Sequence, residues 1–177
     1  MTNVQDSYDQ IFEGVKTVLV VMPHPDDLEL YCGGTVARLV QNGIRVVAIK
    51  MTSGEMGCRQ QQITSQELKQ IREREDRESM NVLGIKEEDN IYLDLGDGNV
   101  EMNKETVGLL ALQIRLYQPD LIITTNPEDA IIRFEKDVNW INHTDHLNTG
   151  KVVLKASYPF ARDILFYPEH FVEHPEA

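Results

Sequence analysis

Two short stretches of this chain gather imidazoles and carboxylates densely enough to do chemistry. The first reads Pro23-His24-Pro25-Asp26-Asp27-Leu28-Glu29, where one imidazole and two carboxylates fall within four residues and two prolines stiffen the backbone. The second reads Asn142-His143-Thr144-Asp145-His146-Leu147-Asn148-Thr149-Gly150. Its histidines are spaced i, i+3 and can share one helical face. Catalytic zinc typically takes three protein ligands from His and Asp or Glu and keeps a fourth position for water. Two separate clusters, each offering imidazole and carboxylate, can supply such a set with a carboxylate to spare for a general base. Spacing and residue type are compatible with that set and do not select its members. Taken singly, Asp27 reads equally well as a helix cap, and either histidine of the second cluster as an exposed polar residue.

The elements that must position these clusters follow from periodicity. Residues 18–22 form a short continuous apolar run, as expected of a strand buried on both faces. Asp26 and Asp27 stand where a helix is capped, and 28–41 has helical spacing that ends at Asn42-Gly43. A second strand is expected over 45–51, then a polar loop over 52–62 and a long charged helix that closes at Leu83-Gly84. Residues 91–93 read as a third strand, Asp97-Gly98 as a turn, 104–117 as a third helix and 120–125 as a fourth strand. Strands alternating with helices predict an α/β, Rossmann-like three-layer fold with a mostly parallel sheet. In such sheets ligands gather outside the carboxyl ends of the strands, which singles out the loops after Met22, Met51 and Thr125.

The bulk numbers narrow the function classes. A chain of 177 residues suits a single domain, and its formal net charge of −12 argues against a nucleic-acid partner. The Lys69 to Arg77 stretch is basic but interleaved with acids, which reads as a solvated helix face. No apolar run approaches the roughly 20 residues of a membrane span. The acidic N-terminus lacks the regions of a signal peptide, and the two cysteines stand in no metal spacing, so a cytoplasmic, reducing setting is expected.

The stretch 20–29, with Gly33-Gly34 after it, resembles the signature of the LmbE-like (PIG-L) zinc-dependent deacetylases. Further matches come in the family's order: Thr52-Ser53-Gly54-Glu55-Met56-Gly57, Arg72-Glu73-Arg74-Glu75 leading to Leu83-Gly84, Asp97-Gly98, Gln118-Pro119-Asp120, and His143-Thr144-Asp145-His146 leading to Gly150. The likeness runs from about residue 16 to 166. It implies that His24, Asp27 and His146 ligate zinc and that Asp26 is the general base for the attacking water. It implies further that His143 stabilises the oxyanion or protonates the leaving amine, and that Asp145 orients a neighbouring imidazole. The implied reaction removes an acyl group, commonly acetyl, from a small N-acylated amine of the N-acetylglucosamine type. Family members often assemble as trimers or hexamers, so a homo-oligomer is expected.

Other residues keep two readings. Glu55, Arg59 and Asp97 are candidate substrate contacts, although Arg59 reads equally as an exposed loop residue and Asp-Gly is first of all a turn signal. Cys58 lacks the companions of a nucleophile, and Cys32 falls near the apolar face of its helix. Trp140 either lines a pocket beside the second cluster or simply packs. His170 and His174, in a Pro- and Glu-rich tail, are expected to be exposed. A nucleotide-binding Rossmann protein would need G-x-G-x-x-G after the first strand, where Pro-His-Pro-Asp-Asp stands instead. A metal-binding member without catalysis is the other rival. It is motivated by the tail: family members run longer, so a single domain over 1–177 that lacks its C-terminal strand and helix is expected. A last strand at 163–166 would leave apolar surface beside it.

Overall fold

The computed structural model of the chain describes residues 4–59, 62–135 and 138–177. Its elements run α1 (Val4–Phe12), β1 (Thr17–Met22), α2 (Asp27–Gln41), β2 (Arg45–Lys50), α3 (Ser65–Leu83), β3 (Asn90–Tyr92), α4 (Lys104–Tyr117) and β4 (Leu121–Thr124). An antiparallel pair follows, β5 (Ile131–Glu135) and β6 (Val138–Ile141), and then α5 (Thr144–Lys155) and α6 (His170–Glu173). β3-β2-β1-β4 form one parallel sheet. The expected α/β architecture is therefore present.

β1 explains the layering. Its odd-numbered residues Leu19 and Val21 pack with Val107, Leu110, Val152 and Val153 from α4 and α5. Its even-numbered residues Val18, Val20 and Met22 pack with Val36, Leu39 and Met80 from α2 and α3. The strand has two buried faces because side chains alternate across the pleat. Each such side chain contributes about 1.5–3 kcal/mol relative to leaving it exposed.

Helix ends are set by local chemistry. Thr64 and Glu67 make a reciprocal capping box at the start of α3, and Gly84 closes it in the left-handed region at φ 79°. α5 approaches the loop after β4 so closely that a Cβ on Gly150 would lie 2.5 Å from the Thr125 carbonyl. Only glycine permits that approach, and the approach fixes the end of the sheet that α5 faces.

Three expectations are corrected. The segment after Thr125, singled out as a loop, contains the β5–β6 pair, whose short strands are too weakly alternating to read from spacing. Residues 163–166 are not a strand. The carbonyls of Phe160, Ala161, Asp163, Phe166 and Tyr167 all accept from the buried guanidinium of Arg115, at 2.7–3.2 Å, and a backbone curled around one centre cannot be extended. His170 is buried rather than exposed, because its Nδ1 lies 3.0 Å from Arg115 Nη1. Ile164, Leu165 and Val172 nevertheless leave apolar surface exposed in this segment. No helix among the described residues is long and apolar enough to cross a membrane.

Candidate metal centre and active site

The first cluster occupies the turn from β1 to α2, at the carboxyl end of the central strand. Asp26 adopts φ 92° at the N-cap of α2 and makes no side-chain cap. Asp27 instead turns back, and its Oδ2 accepts the His24 amide at 3.0 Å. This closed loop, stiffened by Pro23 and Pro25, sets the imidazole and the carboxylate side by side. Asp26, the next residue along, is held separately: its Oδ2 accepts from Arg72 at 2.8 Å, and the same Arg72 nitrogen donates to the Pro25 carbonyl at 2.7 Å.

The second cluster opens α5. His143 is the N-cap, and its Nδ1 accepts the Asp145 amide at 3.2 Å. In the neutral imidazole that acceptor role leaves Nε2 carrying the proton as a donor. Asp145 is buried and accepts from the Gly98 and Val100 amides at 2.8 and 3.3 Å. His146 lies one turn on, with its carbonyl accepting from Thr125 Oγ1 at 2.7 Å.

The fold brings the two clusters together around His24. Its Nδ1 lies 3.3 Å from Asp27 Oδ2, and its Nε2 lies 3.2 Å from Asp97 Oδ1 and 3.3 Å from Asp145 Oδ2. Across the same carboxylate, His146 Nε2 lies 3.4 Å from Asp27 Oδ1. One donor atom from each of His24, Asp27 and His146 falls within 4.8 Å of the others. The His143 ring stands edge-on to His24 with centroids 4.9 Å apart.

The remaining sequence candidates divide. Asp97, after β3, joins the cluster and also accepts the Met56 amide at 3.1 Å. Glu55 braces it from the neighbouring loop, accepting the Asp97 amide at 2.9 Å. Arg59 is exposed and makes no contact with the cluster among the described residues. The loop after β3, not singled out by strand-end reasoning, thus supplies a central carboxylate.

Electrostatics follow from this crowding. Burial opposes charge on His24, but the Asp145, Asp27 and Asp97 carboxylates outweigh it and push its pKa up to about 10. Burial pulls His146 down, leaving it a neutral imidazole at neutral pH. Asp145 is held below the usual carboxylate range: burial works against that, but the bonds from His24 and the Gly98 amide prevail. Three carboxylates around one ring are a surplus of negative charge, and mixed N and O donors suit a borderline cation. The residues present therefore fit a zinc ion held by His24, Asp27 and His146. The second nitrogen of His24 rests on carboxylates, as is usual behind a metal-bound histidine.

A cavity of 220 Å³ opens beside His146, reached from β1, α2, β4 and the β5–β6 pair. Sequence reasoning missed Arg72 as the partner of Asp26 and Tyr31 as a cavity residue. Arg72 stood in a matched stretch, Arg72-Glu73-Arg74-Glu75, but nothing in that stretch pointed to Asp26 as its partner.

The chain is similar in sequence and fold to known proteins. Residues 19–157 match the family model described as PIG-L: GlcNAc-PI de-N-acetylase. The diacetylchitobiose deacetylase of Thermococcus kodakarensis is 31% identical over 149 residues, 82% of this chain and 50% of that protein. A probable N-acetyl-alpha-D-glucosaminyl L-malate deacetylase 2 of Bacillus anthracis is 33% identical over 90% of this chain and 68% of its own length. The structure of N,N'-diacetylchitobiose deacetylase from Pyrococcus horikoshii superposes with a TM-score of 0.81 at 25% identity, covering 98% of this chain and 65% of that one. The chain thus spans between half and about two thirds of the length of these relatives. With the match covering most of its length, the chain belongs to the PIG-L (LmbE-like) family.

Proposed function

We propose that this protein is a zinc-dependent deacetylase that removes an acetyl group from an N-acetylglucosamine-type substrate. The observation that carries the reading is the convergence of donor atoms from His24, Asp27 and His146, with the His143 ring edge-on to His24. Deacetylase relatives named for N-acetylglucosamine compounds support the substrate class. When bound, zinc supplies Lewis-acid polarisation of the amide carbonyl.

The chain's own residues do the rest. Asp26, whose side chain is 64% exposed, takes a proton from the attacking water, and Arg72 fixes that carboxylate through one oxygen. His143, capping α5, offers its Nε2–H to charge developing on oxygen, and the proton that Asp26 took from the water passes to the leaving amine. Asp145 orients His24, with the Gly98 and Val100 amides holding it in place. Metal analysis of the purified protein, joined to acetate release from a panel of N-acetylglucosamine derivatives, tests the reading. One zinc per chain and release from at least one of them is the expected result. Bound zinc with no release from any N-acetyl compound would instead favour a metal-binding member without catalysis.

A further inference from the structure

The cavity beside His146 is far larger than an acetyl group requires. A methyl fills about the space of one water, ~30 Å³, against the 220 Å³ present. Something else of the substrate must occupy the remainder. Its lining combines the largely apolar side chains of Met22, Tyr31 and Ile132 with the polar ones of Asn126, Asp129 and Asn142. The polar groups are braced, since Asn126 Nδ2 donates to Asp129 Oδ2 at 2.8 Å and Asn142 Nδ2 to the Asp129 carbonyl at 2.8 Å. An alkyl chain would strip water from these groups without replacing it, whereas sugar hydroxyls would pair with them.

The mouth adds two aromatic rings. Ile132 and Trp140 are directly opposed across β5 and β6, so they project from the same side of the pair. Ile132 lines the cavity, which puts Trp140 on the cavity side, and Ile131 and Ile141 project from the other side. Trp140 remains 58% exposed, and Tyr31 on α2, which lines the cavity, 45%. An aromatic face beside hydrogen-bonding groups suits a pyranose ring, whose C–H face is apolar and whose edge is hydroxylated.

We propose that the Ile132–Trp140 side of the β5–β6 pair is the specificity-determining element of this site: the cavity takes the hexosamine ring and Trp140 stacks on a second pyranose ring. The proposal rests on the deacetylase reading for the identity of the first ring and assigns the second to named residues.

Trp140 is the chain's one tryptophan, so its fluorescence reports on this surface without metal or turnover. Titrating metal-free protein with chitobiose should change the emission saturably, and glucosamine should bind about tenfold more weakly. In the zinc-loaded protein, Trp140→Ala should lower the kcat/KM ratio of N,N'-diacetylchitobiose to N-acetylglucosamine by about tenfold, through KM. Trp140→Phe should recover most of that ratio, and Ile141→Ala, on the opposite side, should leave it unchanged. A saturable emission change without any acetate release supports the subsite and counts against the deacetylase reading. Acetate release with a ratio indifferent to Trp140→Ala overturns the subsite and leaves the deacetylase reading intact. Tighter binding of N-hexanoylglucosamine than of either saccharide also overturns it, by making the cavity an acyl site.

Discussion

Two basic side chains, the half-buried His24 and the buried Arg115, organise this molecule, and their surroundings differ in kind. His24 is ringed by the carboxylates of Asp27, Asp97 and Asp145. Arg115 is ringed by backbone carbonyls and the Nδ1 of His170, with no carboxylate in hydrogen-bond contact among the described residues. Arg115 is a satisfied structural hub: a permanent charge whose donors all find acceptors. The environment of His24 carries more negative charge than one imidazole can balance, which is the condition of a site built to receive a cation. Charge surplus, rather than burial or hydrogen-bond number, separates the candidate metal centre from the structural hub.

The largest expected effect breaks the metal-centre side of that comparison. His24→Ala and His146→Ala should each remove most zinc affinity, measured as metal per chain after gel filtration. Unchanged zinc in both variants would remove the ligand assignment. Next, Asp26→Asn should retain zinc yet lose on the order of 10²–10⁴ in kcat, and Asp27→Asn should lose the metal. The reverse pattern would exchange the two roles.

On the structural side, Arg115→Met should destabilise the fold by about 3 kcal/mol in denaturant, because several buried carbonyls lose their donor together. Zinc content per folded molecule should not change, since the hub lies away from His24. A variant that loses zinc as readily as His24→Ala would show that the two regions are one unit.

The smallest effects concern pH, and their signs oppose. Folding lowers the pKa of His170, through burial and then the Arg115 charge, so its contribution to stability is complete above 6.5 and lost as pH falls below it. Folding raises that of His24, so in metal-free protein its contribution is complete below 6.5 and is lost as pH rises through about 10. Zinc must displace that proton, so zinc affinity should climb between those values while Arg115→Met leaves the climb unaltered. Calorimetry in buffers of different ionisation enthalpy measures the released proton.

The same contrast explains what could be read in advance. The His24 centre was legible because its chemistry is written in side-chain types: imidazoles and carboxylates clustered in two short stretches at predictable ends of elements. Periodicity also fixed β1, α2, α4 and β4 within a residue or two. The Arg115 hub was illegible because its acceptors are carbonyls, which every residue carries, and so 163–166 looked like a strand. The β5–β6 pair escaped for another reason. Its strands are four and five residues long and leave Ile131, Trp140 and Ile141 exposed, so no apolar face repeats often enough to be seen. Asp97 was legible as a turn but not as a neighbour of His24, because that contact depends on β3 lying beside β2.

The central claim is that the charge surplus around His24 exists to hold one catalytic zinc. Protein stripped by a chelator and titrated with zinc, with acetate release from N,N'-diacetylchitobiose followed at each addition, tests it most directly. The account predicts no release from the stripped protein and activity that rises linearly to a plateau at one zinc per chain. Release that survives complete chelation, or a protein that binds one zinc and releases no acetate, would contradict it.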